Sequence, residues 1–236
     1  MTPAEYPLDL VVLVPGKDEQ AAINSLLSSR QQSLGIRCVD WRILVHPRRD
    51  PGCRLQASEV LEPFVRYAWH ALTLFDHAGC GREDASTEEI ETDVKDRLSR
   101  AGWGDRADVI VIAPELESWV WSDSPELDEV LGWQGRQPPL RDWLRDQGLW
   151  AVDRPKPADP KNALVKALRE VRILRSAAIY GKLARTVGLR RCRDDAFSRL
   201  RGTLRAWFGR EEGDNSATCP DRIDSQDADP ADSGAT

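Results

Sequence analysis

The 236-residue chain contains no apolar run approaching the roughly 18 residues needed to cross a bilayer. Its first residues are acidic and proline-containing, unlike the basic and apolar start of a secretory leader. The expectation is a soluble, cytoplasmic protein with no membrane partner. Cysteine is sparse: Cys38, Cys53, Cys80, Cys192 and Cys219 make an odd number, and no two form a CxxC pair. That argues against a disulfide framework and a cysteine-rich zinc site, and leaves buried or idle thiols as the expectation. Histidine occurs three times and no internal repeat is present.

What the chain does have is charge, distributed unevenly. The net charge of −6 conceals three blocks. Residues 1–153 carry 16 Lys+Arg against 27 Asp+Glu, residues 154–210 carry 16 against 4, and residues 211–236 carry 1 against 8. A basic block of this kind has two readings. It is an electrostatic footprint for nucleic acid or another polyanion, or it neutralises the acidic half within the fold or across a subunit interface.

The first half alternates between short apolar runs and helix-period segments. Strands are expected at Leu10–Val14, Trp41–Val45, Ala71–Phe75 and Val109–Ala113, with helices between them, one of them over Leu55–Val65. Ser86 and Glu89 have capping-box spacing ahead of a helix with Ile90, Val94 and Leu98 on one face. The pattern implies an α/β fold with a mostly parallel sheet flanked by helices, whose functional residues gather at the carboxyl ends of the strands. From about Ser124 the pattern is helical only: Pro138–Gln147, a helix capped by Asp159-Pro160, Ser176–Val187, and a last helix striped by Phe197, Leu200, Leu204, Trp207 and Phe208. The expected organisation is an α/β domain over 1–123, a basic helical region over 124–208 packed on it, and a disordered acidic tail over 209–236.

Three strand ends release carboxylates: Asp18 and Glu19 after the first, Asp76 after the third, and Glu115 and Glu117 after the fourth. In a parallel sheet these ends share one edge. Converging carboxylates repel one another unless they hold a hard cation such as Mg²⁺, which can activate water and stabilise phosphoryl transfer. For Asp18 and Glu19 a first-turn charge complementing the helix dipole is a strong competing role. His77 beside Asp76 has a metal or proton-shuttle reading, but a lone loop histidine is more often neither; His70 reads as structural. His46 opens an HPRRDPG loop on the same edge, where Arg48 and Arg49 either meet a phosphate or form a solvated turn. Lys17, Lys156, Lys161, Lys166, Arg190, Arg191 and Arg193 are further candidates for nucleic-acid phosphate contacts. Nine tryptophans are present, and Trp119 and Trp121 either pack the core or wall the site for base stacking.

The opening LDLVVLVPGKDE resembles the hydrophobic-Glu-Gly-x-x-Glu motif of Toprim-like proteins, the group that includes OLD-type nucleases, and LFDHAGCG resembles their strand-end Asp-x-Asp motif. PELESWVWSD at 114–123, KPADPKNALVKAL at 156–168 and SAAIYGKLARTVGLRRCRDDAFSRLRGTLRAWF at 176–208 look like stretches of a smaller Toprim-related family. That family includes the small subunit of methylation-associated anti-phage defence systems. The resemblance spans about residues 8–208 and rests on order and spacing, since each motif is short. It implies a Toprim-like α/β fold, with Glu19 and Asp76 as catalytic residues and Glu19, Asp76, Glu115 and Glu117 as Mg²⁺ ligands. Other subunits of a defence system become expected partners. Two positions depart from the pattern: Pro15 stands where the first glutamate is expected, and Ala78 where the second aspartate is expected. Glu83 or Asp84 are replacements within the following loop. The resemblance therefore leaves two functions open, a metal-dependent nuclease and a non-catalytic binding or regulatory subunit.

Overall fold

The computed structural model describes residues 5–121, 124–188 and 194–210. Four strands form one parallel sheet: β1 (Leu8–Val14), β2 (Trp41–Val45), β3 (Ala68–Asp76) and β4 (Ala107–Ile112), in the order β2-β1-β3-β4. The helices are α1 (Lys17–Ser29), α2 (Gln31–Leu34), α3 (Arg49–Leu61), α4 (Thr87–Leu98), α5 (Glu126–Val130), α6 (Leu140–Asp146), α7 (Pro160–Glu170), α8 (Ala177–Thr186) and α9 (Asp195–Phe208). The α/β class and the parallel sheet are as expected from the alternation.

Strand residues alternate between two cores because successive side chains point to opposite faces. Leu10, Val12, Val14, Leu72, Leu74, Ile110 and Ile112 face a large cluster shared with α1, α7, α8 and α9. Val11, Leu13, Ala71, Phe75, Val109 and Val111 face a smaller one closed by α3 and α4. Burial on both faces is why β1 reads as a continuous apolar run rather than an alternating one. The helical region thus shares the first cluster with the strands. Gly209 and Arg210, expected in the tail, are ordered: Gly209 bridges Ile36 and Arg210 Nε donates to the Ile36 carbonyl. Residues 211–236 lie outside the described residues.

Local chemistry explains the element ends. Ser86 Oγ accepts from the Glu89 amide while Glu89 returns a bond to the Ser86 amide, the capping box expected for α4. Asp159 caps α7 through the Asn162 amide, with Pro160 at the first helical position. The helix expected at Leu55–Val65 instead begins at Arg49 and ends at Leu61. Pro51 lies in its first turn, where the missing N–H costs nothing. Cys53 and Cys80 are buried free thiols, as expected. Among the described residues no helix is long and apolar enough to cross a membrane.

Candidate functional site

The carboxyl ends of all four strands contribute to one acidic pocket. Asp76 is the last residue of β3 and is 6% exposed. Beyond it, the His77 amide bonds the Ile112 carbonyl and the Ala78 amide bonds that of Pro114, so the chain leaves β3 alongside the end of β4. This brings Asp76 against the segment carrying Glu115 and Glu117, where the Leu116 amide donates to Asp76 Oδ1 at 2.8 Å. Glu117 sits in a single 3₁₀ turn, Leu116–Trp119, and is 1% exposed. Carboxylate oxygens of Asp76, Glu115 and Glu117 lie within 4.8 Å of one another.

Glu19 and Asp50 border this group. Glu19 lies in the first turn of α1 and its carboxylate folds back beside Gly16, where an added Cβ would stand 2.8 Å from Oε2. A glycine at 16 is therefore what lets the acid lie over the helix N-terminus. Glu19 is 9% exposed and no other side chain among the described residues hydrogen-bonds it or pairs with it. Glu19, expected among the metal ligands, is not one of the three carboxylates that lie within 4.8 Å of one another.

Asp50 was not anticipated as a site residue. Its Oδ1 accepts the Asp76 amide at 2.9 Å. The loop that presents it is tightly built. His46 is buried, its Nδ1 accepts the Arg48 amide, Arg49 has φ of 52°, and a Cβ on Gly52 would meet His46 Nδ1 at 2.0 Å. Backbone strain held by close packing is a frequent companion of functional loops. The signal in the sequence was the position of Asp50 just after a strand on the shared edge.

Two cations enter the pocket from the helical half. Lys161 Nζ on α7 lies 2.7 Å from Glu115 Oε2 and 3.9 Å from Glu117 Oε2, and its own amide donates to Glu115 Oε1. Arg175 Nη2 donates to Glu117 Oε1 at 3.0 Å and to Asp18 Oδ2 at 2.6 Å. Tyr180 on α8 donates its hydroxyl to the same Glu117 oxygen at 2.6 Å and accepts from Arg175 Nε.

Six carboxylates (Asp18, Glu19, Asp50, Asp76, Glu115, Glu117) therefore face two cations. The imbalance appears in the acidities. Burial, reinforced by Asp18, Asp50 and Glu117, pushes Glu19 up to about 7. Burial and the charges of Glu19, Asp50 and Glu117 raise Asp76 well above the carboxylate range, and burial raises Asp50. Groups this reluctant to ionise together are what a hard cation would relieve. An all-oxygen donor set suits Mg²⁺ or Mn²⁺, and octahedral ligand oxygens about 3–4 Å apart need only a small contraction of the group.

Other expected residues have different places. Lys156 is paired with Asp194 at 2.7 Å and Lys161 with the acidic pocket, so neither presents a free ammonium to a phosphate in this state. Lys17, Arg48, Arg49 and Lys166 are exposed. Arg190, Arg191 and Arg193 lie outside the described residues. Glu83 Oε1 accepts the amides of Gly79 and Gly81, holding its own loop instead of joining the site. His77 Nε2 donates to the Ala85 carbonyl and braces that loop. Trp121 is buried with its indole N–H on the Pro160 carbonyl, and Trp119 donates to Asp194. Both have core roles.

Part of the basic block pairs inward, with Arg199 on Glu91, Arg175 on Asp18 and Glu117, and Lys161 on Glu115. Comparison with known proteins finds no matching family model, no similar curated protein and no similar solved structure.

Proposed function

We propose that this protein is a divalent-metal-dependent phosphodiesterase acting on nucleic acid. In this reading Asp76, Glu115 and Glu117 hold Mg²⁺, and Glu19 and Asp50 border it. The observation that carries it is the convergence of these three buried carboxylates at the carboxyl edge of the parallel sheet, in excess of their local cations. Bound there, the metal would supply Lewis-acid stabilisation of a phosphoryl oxygen and a more acidic water. The chain's own residues would do the rest. Tyr180 and Arg175 fix one oxygen of Glu117, and the Leu116 amide fixes one oxygen of Asp76. Glu19, with its acidity shifted to about 7, is placed to exchange a proton near neutrality. Exposed Lys17, at the start of α1, and Arg48 and Arg49, at the start of α3, stand around that edge as contacts for the phosphate backbone. The resemblance to Toprim-like nucleases supports the same chemistry and suggests a bacterial anti-phage defence system, with other subunits as partners.

The test is cleavage of single- and double-stranded DNA and RNA with Mg²⁺ or Mn²⁺. Activity should be metal-dependent and abolished by Asp76→Ala. Unchanged activity in that variant would remove the proposed site. A second reading is favoured by one contact, the Lys161 ammonium against Glu115 and Glu117. A site neutralised from within suits a binding or regulatory subunit that retains the fold without the reaction. Salt-dependent nucleic-acid binding without cleavage under any divalent metal would select it.

A further inference from the structure

Lys161 stands against the carboxylates of the proposed metal site. Its ammonium contacts Glu115 and approaches Glu117, and the Asp76 charge also acts on it. The attachment has two separable parts. The Lys161 amide is held by Glu115 Oε1, and the Trp121 indole donates to the Pro160 carbonyl, so the start of α7 is anchored through its backbone. The side chain is not buried with it: at 44% exposure the ammonium can leave toward solvent without unseating the helix. Even with Lys161 and Arg175 in place, Glu19 stays nine-tenths buried without a side-chain partner among the described residues. The pocket therefore has a place for more positive charge than a single ammonium supplies.

We propose that Lys161 is an exchangeable internal counter-ion, displaced from Glu115 and Glu117 when a divalent cation binds and then free to contact a phosphodiester beside it. This rests on the metal reading above and adds its coupling to substrate. An ammonium and a divalent cation cannot both sit among these oxygens, because their like charges would be a few ångströms apart. Displacement turns Lys161 from a competitor of the metal into a phosphate ligand at the rim of the site. Metal and phosphodiester should then bind cooperatively, each tightening the other by the same factor.

The experiment is calorimetric titration of Mn²⁺ into the full chain, its Lys161→Met variant and its Lys161→Arg variant, with folding checked by circular dichroism. Each is titrated with and without a thymidine dinucleotide joined by a cleavage-resistant phosphorothioate. Lys161→Met should bind Mn²⁺ on the order of tenfold more tightly than the parent, within the usual range of such couplings. Lys161→Arg, which keeps the charge, should not. The dinucleotide should tighten Mn²⁺ binding to the parent by a larger factor than it does in Lys161→Met, the excess being the Lys161 contact.

Equal or weaker Mn²⁺ binding by folded Lys161→Met overturns the exchange. Equal tightening by the dinucleotide in both proteins overturns the phosphate contact. Mn²⁺ binding by none of the three folded proteins overturns the metal reading itself.

Discussion

The two ends of the same parallel sheet are built on opposite principles. At the amino end, charged groups are matched. Asp9 receives both terminal nitrogens of Arg37, at 2.6 and 3.0 Å, and the Asp40 amide at 2.8 Å. Arg106 donates to the carbonyls of Ala68, Trp69 and Val65 and lies over the Trp103 ring. His70 donates to the Arg106 carbonyl and stacks on Trp207, with ring centroids 4.3 Å apart. At the carboxyl end six carboxylates share two cations, and three of them resist ionisation. The amino end is the more fully paired of the two, although the buried Trp103 indole N–H there has no hydrogen-bond partner. The carboxyl end stores electrostatic cost that a ligand can release, a common trade of stability for function.

The largest effect should come from damaging the more fully paired end. Arg106→Ala leaves several backbone carbonyls short of partners and should cost about 3 kcal/mol in denaturant unfolding. A loss under about 1 kcal/mol would mean the amino end is less dependent on its pairs than its geometry implies. The opposite sign is expected at the other end. Asp76→Asn keeps an acceptor for the Leu116 amide and removes one of the repelling charges. It should raise stability by about 1 kcal/mol at pH 8 while abolishing metal binding. Destabilisation there would erase the contrast.

Acidification separates the ends by sign. The Glu19 pKa is raised from 4.5 to about 7 in the folded protein, chiefly by burial, so the folded state takes up its proton first. Its contribution favours folding below its ordinary value of 4.5 and is lost as pH rises through about 7. His70 is lowered to about 4, chiefly by burial, so its contribution is present above 6.5 and lost as pH falls toward 4. Between pH 6.5 and 5 the two oppose each other. Glu19→Gln should therefore lose more stability than the parent over that interval in urea titrations. Parallel curves would show that Glu19 ionises normally. The smallest effect concerns the exposed cations. Arg48→Ala and Arg49→Ala should each weaken nucleic-acid binding a few-fold and reduce its salt dependence by about one phosphate contact. An unchanged salt slope would place the backbone surface elsewhere.

Much of the contrast was legible in the chain. Short apolar runs alternating with helix-period segments mark four strands whose carboxyl ends share an edge in a parallel sheet, and so Asp76, Glu115 and Glu117 were readable as neighbours. Glu19 was readable as near them but not as lying outside their contact distance, which depends on its carboxylate folding back over Gly16. Asp50 was hidden by the expectation that its helix began later. The Arg49 conformation and the close packing of Gly52 on His46 beside it are tertiary outcomes without a local signature.

By itself the sequence determined the α/β class, the edge on which the acids gather, the helix caps at Ser86 and Asp159, and the strong charge asymmetry between the halves. These follow from short-range rules of periodicity and hydrogen bonding. Only the tertiary structure decided what the basic half does with its charge. Lys161 and Arg175 lie far along the chain from the acids they meet, and Lys156 and Arg199 also turn inward to carboxylates. Electrostatic pairing falls off with distance in space, not in sequence, so the partner of each cation was set only when the helices docked.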